Sequence, residues 1–143
     1  MIILDTDALT FLERRENEVS VVLRRRLTEL SAEHEIVTTV ISNEEQTRGW
    51  FTVLARSRSA DAQVIAYDRV LTHLETFRTI KTIRYSREAA VRFDMLRAGK
   101  VRIGTADLKI AAVALAHGAK LLTRNLRDFS QVAGLSYEDW TRG

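Results

Sequence analysis

Neither cysteine nor proline occurs in this chain of 143 residues. The absence of cysteine excludes disulfide bonds, a thiolate nucleophile and a cysteine-ligated zinc site. The absence of proline leaves no proline-marked linker, and the length is that of one domain with a substantial core. No apolar run is long enough to span a bilayer, and no basic segment precedes the first apolar residues. We therefore expect a cytoplasmic protein without a signal peptide.

The chain carries a small excess of positive charge, mainly as arginine. It has 22 Lys and Arg residues against 19 Asp and Glu, a net charge of +3, and 45% of its residues are hydrophobic. This composition is typical of a globular protein. An arginine side chain can hold two phosphate oxygens at once, but a modest arginine excess is usually a solvated surface. Charge alone therefore gives weak support for nucleic-acid binding.

Apolar residues alternate between short β-branched runs and helical spacing. The short runs predict strands at 1–4, 36–41, 80–85 and 119–122, with a further strand close to the C-terminal end. The helical spacing predicts helices that begin near residue 5 and that cover 19–30, 42–56, 61–79, 86–97 and 104–117. Strands that alternate with helices indicate a parallel sheet covered on both faces.

The segment 104–117 is the most apolar of these helices. Its alanine-rich sequence is apolar on most of its circumference, which predicts a buried helix. Lys109 is the one long charged side chain of the run and is expected to extend towards solvent. Asp107 lies in the first turn, where backbone N–H groups lack partners. An acid at this position often only complements the helix dipole, so Asp107 alone does not identify a site.

Carboxylate or amide groups follow several predicted strands. Asp5 follows the first strand, Glu44 and Glu45 follow the second, and Asn125 follows the fourth, while Asp107 begins the buried helix. Binding sites of open α/β sheets form at the carboxyl ends of the strands, so these groups are expected to converge at one edge. Such oxygens suit a hard cation such as Mg²⁺ or Mn²⁺, which would relieve their mutual repulsion.

Helix capping is the competing explanation for each of these groups. Asp5 and Asp7 could cap the first helix, and Glu45 could close a capping box that Ser42 opens. Asn125 could cap a short helix together with Asp128. For each residue taken singly, helix capping is the better explanation. For all of them together, a shared binding or catalytic site is the better explanation.

Four motifs occur in order along the chain: LDTD at 4–7, SNEEQTRGW at 42–50, RIGTADLKIAAVALAHGAKLLTRN at 102–125 and NLRDFSQVAGL at 125–135. Together they resemble the PIN-domain ribonucleases, and among these the toxins of the VapC type. The resemblance implies a single PIN domain over residues 1–143. It also implies a three-layer α/β/α fold whose central parallel sheet has the order 3-2-1-4-5, with an acidic pocket at the edge of that sheet.

The resemblance implies a catalytic set of three acids, Asp5, Glu45 and Asp107, of which Asp5 and Asp107 would bind Mg²⁺ or Mn²⁺. Glu45 matches because the family's glutamate lies four residues before a glycine, here Gly49, whereas Glu44 would point about 100° away. A fourth acid of many relatives is replaced here by an amide. The implied supporting residues are Asp7, Thr123, Asn125 and Asp128, and the implied RNA-binding residues are Arg124, Arg102 and Lys100.

The implied reaction is metal-assisted hydrolysis of RNA phosphodiester bonds that leaves a 5′-phosphate. Single-stranded or looped RNA is the expected substrate, because its phosphates and bases are accessible. The family also implies a cognate antitoxin protein and pairing as a homodimer. Trp50, Phe51 and Leu54 could face a partner, although core packing is the simpler expectation for Phe51 and Leu54.

Other classes fit less well. The sequence 5–9 resembles the start of haloacid-dehalogenase-type phosphatases, but Leu9 replaces the required Thr or Val and no later Gly-Asp-x-x-x-Asp occurs. A receiver domain would need an acid where Tyr85 ends the third strand. A PIN fold that binds RNA or protein without cutting remains open, because Asn125 replaces an acid. The three histidines are expected at the surface or at helix ends, and no G-x-S-x-G occurs.

Overall fold

A parallel sheet forms the centre of the fold in this computed structural model, which describes residues 1–14 and 17–141. Within those residues the sheet has five strands: β1 (Ile2–Leu4), β2 (Ile36–Thr39), β3 (Lys81–Ile83), β4 (Lys120–Leu122) and β5 (Ser136–Glu138). Their order is β3-β2-β1-β4-β5, and every neighbouring pair is parallel. The predicted order 3-2-1-4-5 is thus confirmed.

Helices connect these strands and cover both faces of the sheet. They are α1 (Thr6–Glu13), α2 (Glu18–Leu30), α3 (Val40–Arg56), α4 (Ala60–Thr79), α5 (Arg87–Ala98), α6 (Thr105–His117) and α7 (Leu126–Phe129). Across the described ranges, none of them combines the length and the apolar character that a membrane span requires. The three-layer α/β/α architecture predicted from the sequence is confirmed.

Alternate residues of β1 enter two different apolar clusters, as the two-residue period of a strand requires. Ile3 belongs to a cluster with Val37, Leu121 and residues of α6. Ile2 and Leu4 belong to a second cluster that includes residues of α1 and α2. The central strand is therefore buried on both faces, which explains its continuous apolar sequence.

Helix α6 is buried as predicted. The side chains from Ile110 to Ala114 are fully inaccessible to solvent. Gly118 ends the helix in the left-handed conformation, with φ of 57°, which favours glycine. The ammonium group of Lys109 lies 5.9 Å from the ring centroids of Tyr85 and Phe93, so this half-buried lysine covers aromatic surface at the side of the helix.

The start of α3 differs from the prediction. The strand β2 ends at Thr39, and the side chain of Thr39 caps α3 by accepting a hydrogen bond from the backbone N–H of Ser42 at 3.1 Å. Ser42 therefore lies inside the first turn, and the predicted capping box of Ser42 with Glu45 is wrong. The β-branched sequence of residues 36–41 favours a strand, but the hydroxyl of Thr39 provides a helix cap within that run.

Candidate active site

An acidic pocket of about 190 Å³ lies where β1, β2 and β4 end. It is lined by Asp5, Thr6, Asp7, Glu45, Asp107 and Asn125. Asp5 directly follows β1, Glu45 lies in the second turn of α3 after β2, and Asn125 follows β4. Asp107 lies in the first turn of α6. The carboxylate and amide groups expected to converge therefore share one pocket.

Asp5 is buried at the base of this pocket, with 4% of its surface exposed. It caps α1, because its Oδ1 accepts a hydrogen bond from the N–H of Ala8 at 2.8 Å. The side chain of Thr123 also hydrogen-bonds to the carboxylate. Burial raises the pKa of Asp5 to about 7, although these two hydrogen bonds favour its ionised form. The capping interpretation of Asp5 is thus correct and coexists with its place in the pocket.

Asn125 holds two carboxylates with one amide group. Its Nδ2 donates to Asp107 Oδ2 at 3.2 Å and to Asp128 Oδ2 at 2.9 Å. Its backbone N–H donates to Thr123 Oγ1 at 2.9 Å. Its side chain makes no capping hydrogen bond to α7, so the predicted side-chain cap is wrong. The two acids instead fix the orientation of the amide group through its Nδ2, and hydrogen bonds to charged groups are the stronger ones.

The carboxylate of Asp107 is half-buried and surrounded by negative charge. Burial raises its pKa, and the charges of Glu45, Asp128 and Asp7 raise it further, whereas the hydrogen bond from Asn125 lowers it. The pocket therefore disfavours the ionised form of Asp107 as it stands. A positive ion in the pocket would reverse this effect.

Glu45 is joined to α1 by a hydrogen bond. The hydroxyl of Thr6 donates to Glu45 Oε1 at 2.5 Å. Glu44 instead forms an exposed ion pair with Arg48 on the surface of α3. The structure therefore places Glu45, rather than its neighbour, at the pocket. Asp7 lies at the exposed rim of the same pocket.

The chemistry of the pocket fits a hard cation. In the described part of the chain, no three His, Cys, Asp or Glu side chains stand close enough together to enclose an ion. The pocket nevertheless brings oxygen donors from Asp5, Glu45 and Asp107 to one cavity, and burial disfavours the charge on two of them. Oxygen-only donors that repel one another are the set that Mg²⁺ or Mn²⁺ stabilises.

The predicted RNA-binding residues lie in two places. Arg124 stands between Thr123 and Asn125, and its Cζ lies 4.8 Å from the ring centroid of Phe11. Lys100 and Arg102 lie in the loop that joins α5 to α6, and all three basic side chains are exposed. Only the position of Arg124 is thus fixed by contacts next to the acidic pocket.

A second cavity adjoins the first. It measures about 280 Å³, shares Thr6 and Glu45 with the acidic pocket, and is walled by Trp50 and Val53 of α3. Trp50 and Leu54 are half-buried. Phe51 is 55% exposed, so the expectation that it packs in the core is wrong. Its exposure leaves an aromatic ring on the outer face of α3.

His73 is buried, with 3% of its surface exposed, so the expectation of a surface histidine is wrong. Its Nε2 lies 2.8 Å from Thr47 Oγ1 and its Nδ1 lies 3.2 Å from Gln46 Oε1. Gln46 in turn donates to Thr10 Oγ1 at 3.1 Å. Glu13 Oε1 lies 3.7 Å from His73 Nδ1. These five side chains form a polar network among α1, α3 and α4, next to the acidic pocket.

The sequence contains a signal for this burial. Ala66, Val70, His73 and Phe77 are spaced as one inward face of α4. The ring of Phe77 packs edge-on against His73, with centroids 4.9 Å apart. The apolar neighbours at helical spacing therefore predict a buried histidine, and polar residues on α3 and α1 supply its partners.

We expect Glu13→Gln to remove a pH dependence from the stability of the protein. Burial raises the pKa of Glu13 to about 7 from 4.5, so the native state takes up a proton that the unfolded state has lost. The contribution of Glu13 to the stability of the wild type therefore falls as pH rises from about 4.5 to about 7 and is constant above that. The free energy of unfolding of the variant minus that of the wild type should be about 1–3 kcal/mol larger at pH 8 than at pH 4.

The measurement is urea unfolding of both proteins at pH 4, 6 and 8. Burial lowers the pKa of His73, which destabilises the native state only below about pH 6.5, so the change in stability between pH 6 and pH 8 reports mainly on Glu13. Glu75→Gln, at an exposed acid of α4, is the matched control and should keep the wild-type pH profile. An unchanged profile for Glu13→Gln would contradict the prediction.

This chain is similar in sequence to a known protein family and to two characterised proteins. The PIN domain family model matches residues 2–135. Ribonuclease VapC1 of Rickettsia felis is 50% identical over 36 residues, which are 25% of this chain and 27% of that protein. The tRNA(fMet)-specific endonuclease VapC of Salmonella typhimurium is 33% identical over 81 residues, which are 53% of this chain and 61% of that protein. The matches thus span about a quarter and three fifths of these relatives.

Solved structures match over nearly the whole chain. VapBC-1 from nontypeable Haemophilus influenzae has a TM-score of 0.77 at 22% identity, covering 99% of this chain and 100% of that one. DNA-bound VapBC from Salmonella typhimurium has a TM-score of 0.72 at 23% identity, covering 97% of each chain. At such identities the comparison establishes a common fold.

Proposed function

Because this chain belongs to the PIN domain family, we propose that it is an endoribonuclease that depends on a divalent cation and that the acidic pocket is its active site. One observation carries the proposal. Three carboxylates from separate segments, Asp5, Glu45 and Asp107, line a single cavity at the carboxyl edge of the sheet. This is the edge at which parallel α/β sheets bind their ligands.

Asp5 and Asp107 are the residues that would hold the cation. Both carboxylates are disfavoured in their ionised form by burial, and each lies near further negative charge. The bound Mg²⁺ or Mn²⁺ would activate water and stabilise charge on the phosphate oxygens. Thr123 orients Asp5, and the amide of Asn125 orients Asp107. Asp128 fixes that amide from its other side.

Glu45 would orient the attacking water and accept its proton. Its carboxylate is fixed by the hydroxyl of Thr6, which leaves the second oxygen for this role. Asp7, at the exposed rim, would contribute negative charge near the entrance. We propose single-stranded or looped RNA as the substrate and a 5′-phosphate on one product. Arg124, Arg102 and Lys100 would hold the RNA backbone, and a single PIN domain would span residues 1–143.

We also propose a cognate antitoxin and a homodimer. Solved structures of the same fold come from VapBC toxin–antitoxin systems, including VapBC-5 from Mycobacterium tuberculosis. The outer surface of α3 and α4 exposes large apolar side chains that an aqueous surface does not favour. They are Phe51, Val53, Val64, Ile65, Tyr67, Leu71 and Leu74.

A PIN fold that binds RNA without cutting it is the second candidate. Asn125 is the observation that favours it, because an amide stands where many relatives carry a fourth acid. The hydrogen bonds from Asn125 to Asp107 and Asp128 keep negative charge at this position, however. The hydrogen bonds of Asn125 therefore fit an active site with fewer acids better than a site that binds RNA without cutting it.

The test is cleavage of a mixed RNA pool by the purified protein, with Mg²⁺, with Mn²⁺ or with EDTA. We expect cutting with either cation and none with EDTA, and the 5′ ends should carry phosphate. Binding of the same pool without cutting, by protein free of antitoxin and supplied with metal, would support the binding candidate. Cutting that persists in EDTA would contradict the proposed dependence on metal.

A further inference from the structure

We propose that Phe11, Arg14 and Arg124 form a phosphate-binding subsite for single-stranded RNA at the rim of the acidic pocket. The aromatic ring would hold the two guanidinium groups in position to receive a phosphate next to the one that is cut. This inference rests on the proposed function, since it names how the substrate of the same pocket is held.

Both guanidinium groups lie over one ring. The Cζ of Arg124 is 4.8 Å from the ring centroid of Phe11, and the Cζ of Arg14 is 5.9 Å from it. These distances are within the range of cation–π attraction. Phe11 is half-buried and packs against the core cluster beneath α1, whereas both arginines are exposed. The ring is therefore anchored and the two charged groups remain accessible.

The backbone of Arg124 is tied to the active site on both sides. Thr123 hydrogen-bonds to Asp5, and Asn125 hydrogen-bonds to Asp107. A shift of this segment would disturb two of the proposed catalytic carboxylates. The hydrogen bonds of Thr123 and Asn125 thus fix the position of Arg124 relative to the acidic pocket.

The other two members lead away from the pocket along α1. Asp7, Phe11 and Arg14 are spaced i, i+4 and i+7, so they lie along one side of α1, with Arg14 at its C-terminal cap. Asp7 lines the acidic pocket. Phe11 lies about 6 Å farther along the helix axis, and Arg14 about 10 Å farther. An RNA strand that leaves the pocket along this face would meet the two guanidinium groups.

The charges of both arginines are available to a ligand. Within residues 1–14 and 17–141, neither guanidinium forms an ion pair with a carboxylate. A guanidinium that stacks on a ring keeps N–H donors at its edge, and these match the oxygens of a phosphate. A carboxylate-rich peptide would also match these N–H donors. The subsite adjoins the acidic pocket, however, and the carboxylates of that pocket repel such a peptide. RNA, with a cation in the pocket, is the ligand that both charge patterns fit.

The test is binding of a fluorescein-labelled single-stranded RNA 12-mer pool, followed by anisotropy over a range of NaCl concentrations. EDTA is present to prevent cutting. It leaves the charge of the acidic pocket the same in every protein, so the ratios of affinity between variants report on the arginines. Each of Arg14→Ala and Arg124→Ala should weaken binding about three- to tenfold and lower the slope of log K against log salt by about 0.7, the value of one lost phosphate contact on a single strand. Arg124→Lys should keep the slope but bind more weakly than the wild type. Arg56→Ala, about 16 Å along α3 from Glu45, is the matched control and should bind normally.

Phe11→Leu tests the positioning role. It keeps an apolar side chain but removes the ring, so we expect binding to weaken about two- to fivefold. In the double variant with Arg124→Ala, the effect of Phe11→Leu should shrink, because part of its partner is already gone. Additive effects of the two substitutions would overturn the positioning role. Circular dichroism of each variant excludes unfolding as the cause of a loss.

Wild-type affinity and slope in both arginine variants would overturn the subsite. It would also be overturned if these variants lose binding of a poly-glutamate 12-mer but keep RNA binding, since the pair would then face a protein. Arginine-dependent RNA binding by a protein that cuts no RNA with Mg²⁺ or Mn²⁺ would instead overturn the proposed nuclease and keep the subsite. The two proposals therefore fail in distinguishable ways.

Discussion

Asp5→Asn is expected to lower RNA cleavage about 10³-fold while the protein stays folded. The substitution removes one of the two carboxylates proposed to hold the cation. A bound cation stabilises the charge of the transition state by several kcal/mol, so weaker binding of the cation slows cleavage. Asparagine is as good a helix cap as aspartate, so the hydrogen bond to Ala8 is kept. Because burial raises the pKa of Asp5 to about 7, loss of its charge should leave the free energy of unfolding at pH 8 unchanged or higher.

The measurements are initial cleavage rates with Mg²⁺ and thermal unfolding of the same preparations. Asp61→Asn is the matched control, because Asp61 is an exposed acid in the first turn of α4 and shares only the favourable interaction with a helix dipole. It should cut RNA as the wild type does. Cleavage by folded Asp5→Asn at the rate of Asp61→Asn would remove the acidic pocket as the active site.

Asn125→Asp is expected to destabilise the metal-free protein by about 3 kcal/mol, a fall in Tm of about 10 °C. The variant loses the two hydrogen bonds that the amide donates to Asp107 and Asp128, and it places a third carboxylate against them. A saturating divalent cation should restore at least half of the loss, because it binds the native state and neutralises the added charge.

Thermal unfolding in EDTA and in Mn²⁺ measures both effects without any assay of activity. Asn125→Ala, which loses the same donors without adding charge, should be destabilised less and should gain no more from Mn²⁺ than the wild type. Asn17→Asp makes the same chemical change at the cap of α2, where the side chain accepts a hydrogen bond from Ser20, and should be neutral. Equal stability of Asn125→Asp and wild type in EDTA would show that the amide does not hold the two acids.

The sheet and its buried helix follow from local sequence patterns. The short, continuously apolar sequence of β1 predicts a strand buried on both faces. The alanine-rich sequence of α6, apolar on most of its circumference, predicts a buried helix. The convergence of Asp5, Glu45, Asp107 and Asn125 also follows, because topology alone brings strand ends to one edge. The strand order came from the family resemblance and not from periodicity.

The choice among partners for a polar side chain was less predictable. Thr39 competed with Ser42 for the start of α3, and one hydroxyl within a β-branched run decided the result. Asn125 could cap α7 with its side-chain oxygen or donate from its amide nitrogen to nearby acids, and only the fold brings Asp107 within reach. His73 has its partners on α3 and α1, which no local pattern on α4 reveals. Long-range polar pairing is thus the part that sequence spacing does not determine.

The parallel pairing of β1 with β4 makes the acidic pocket a late product of synthesis. Leu4 is in register with Leu122, and the N–H of Asp5 donates to the carbonyl of Leu122 at 3.1 Å, so the first acid is placed by a strand that is distant in sequence. Contacts of such high contact order form late in folding. A ribosome-bound chain that ends before β4 contains Asp5, Glu45 and Asp107 yet lacks the strand that aligns them. The proposed nuclease activity would therefore arise only after β4 has been made.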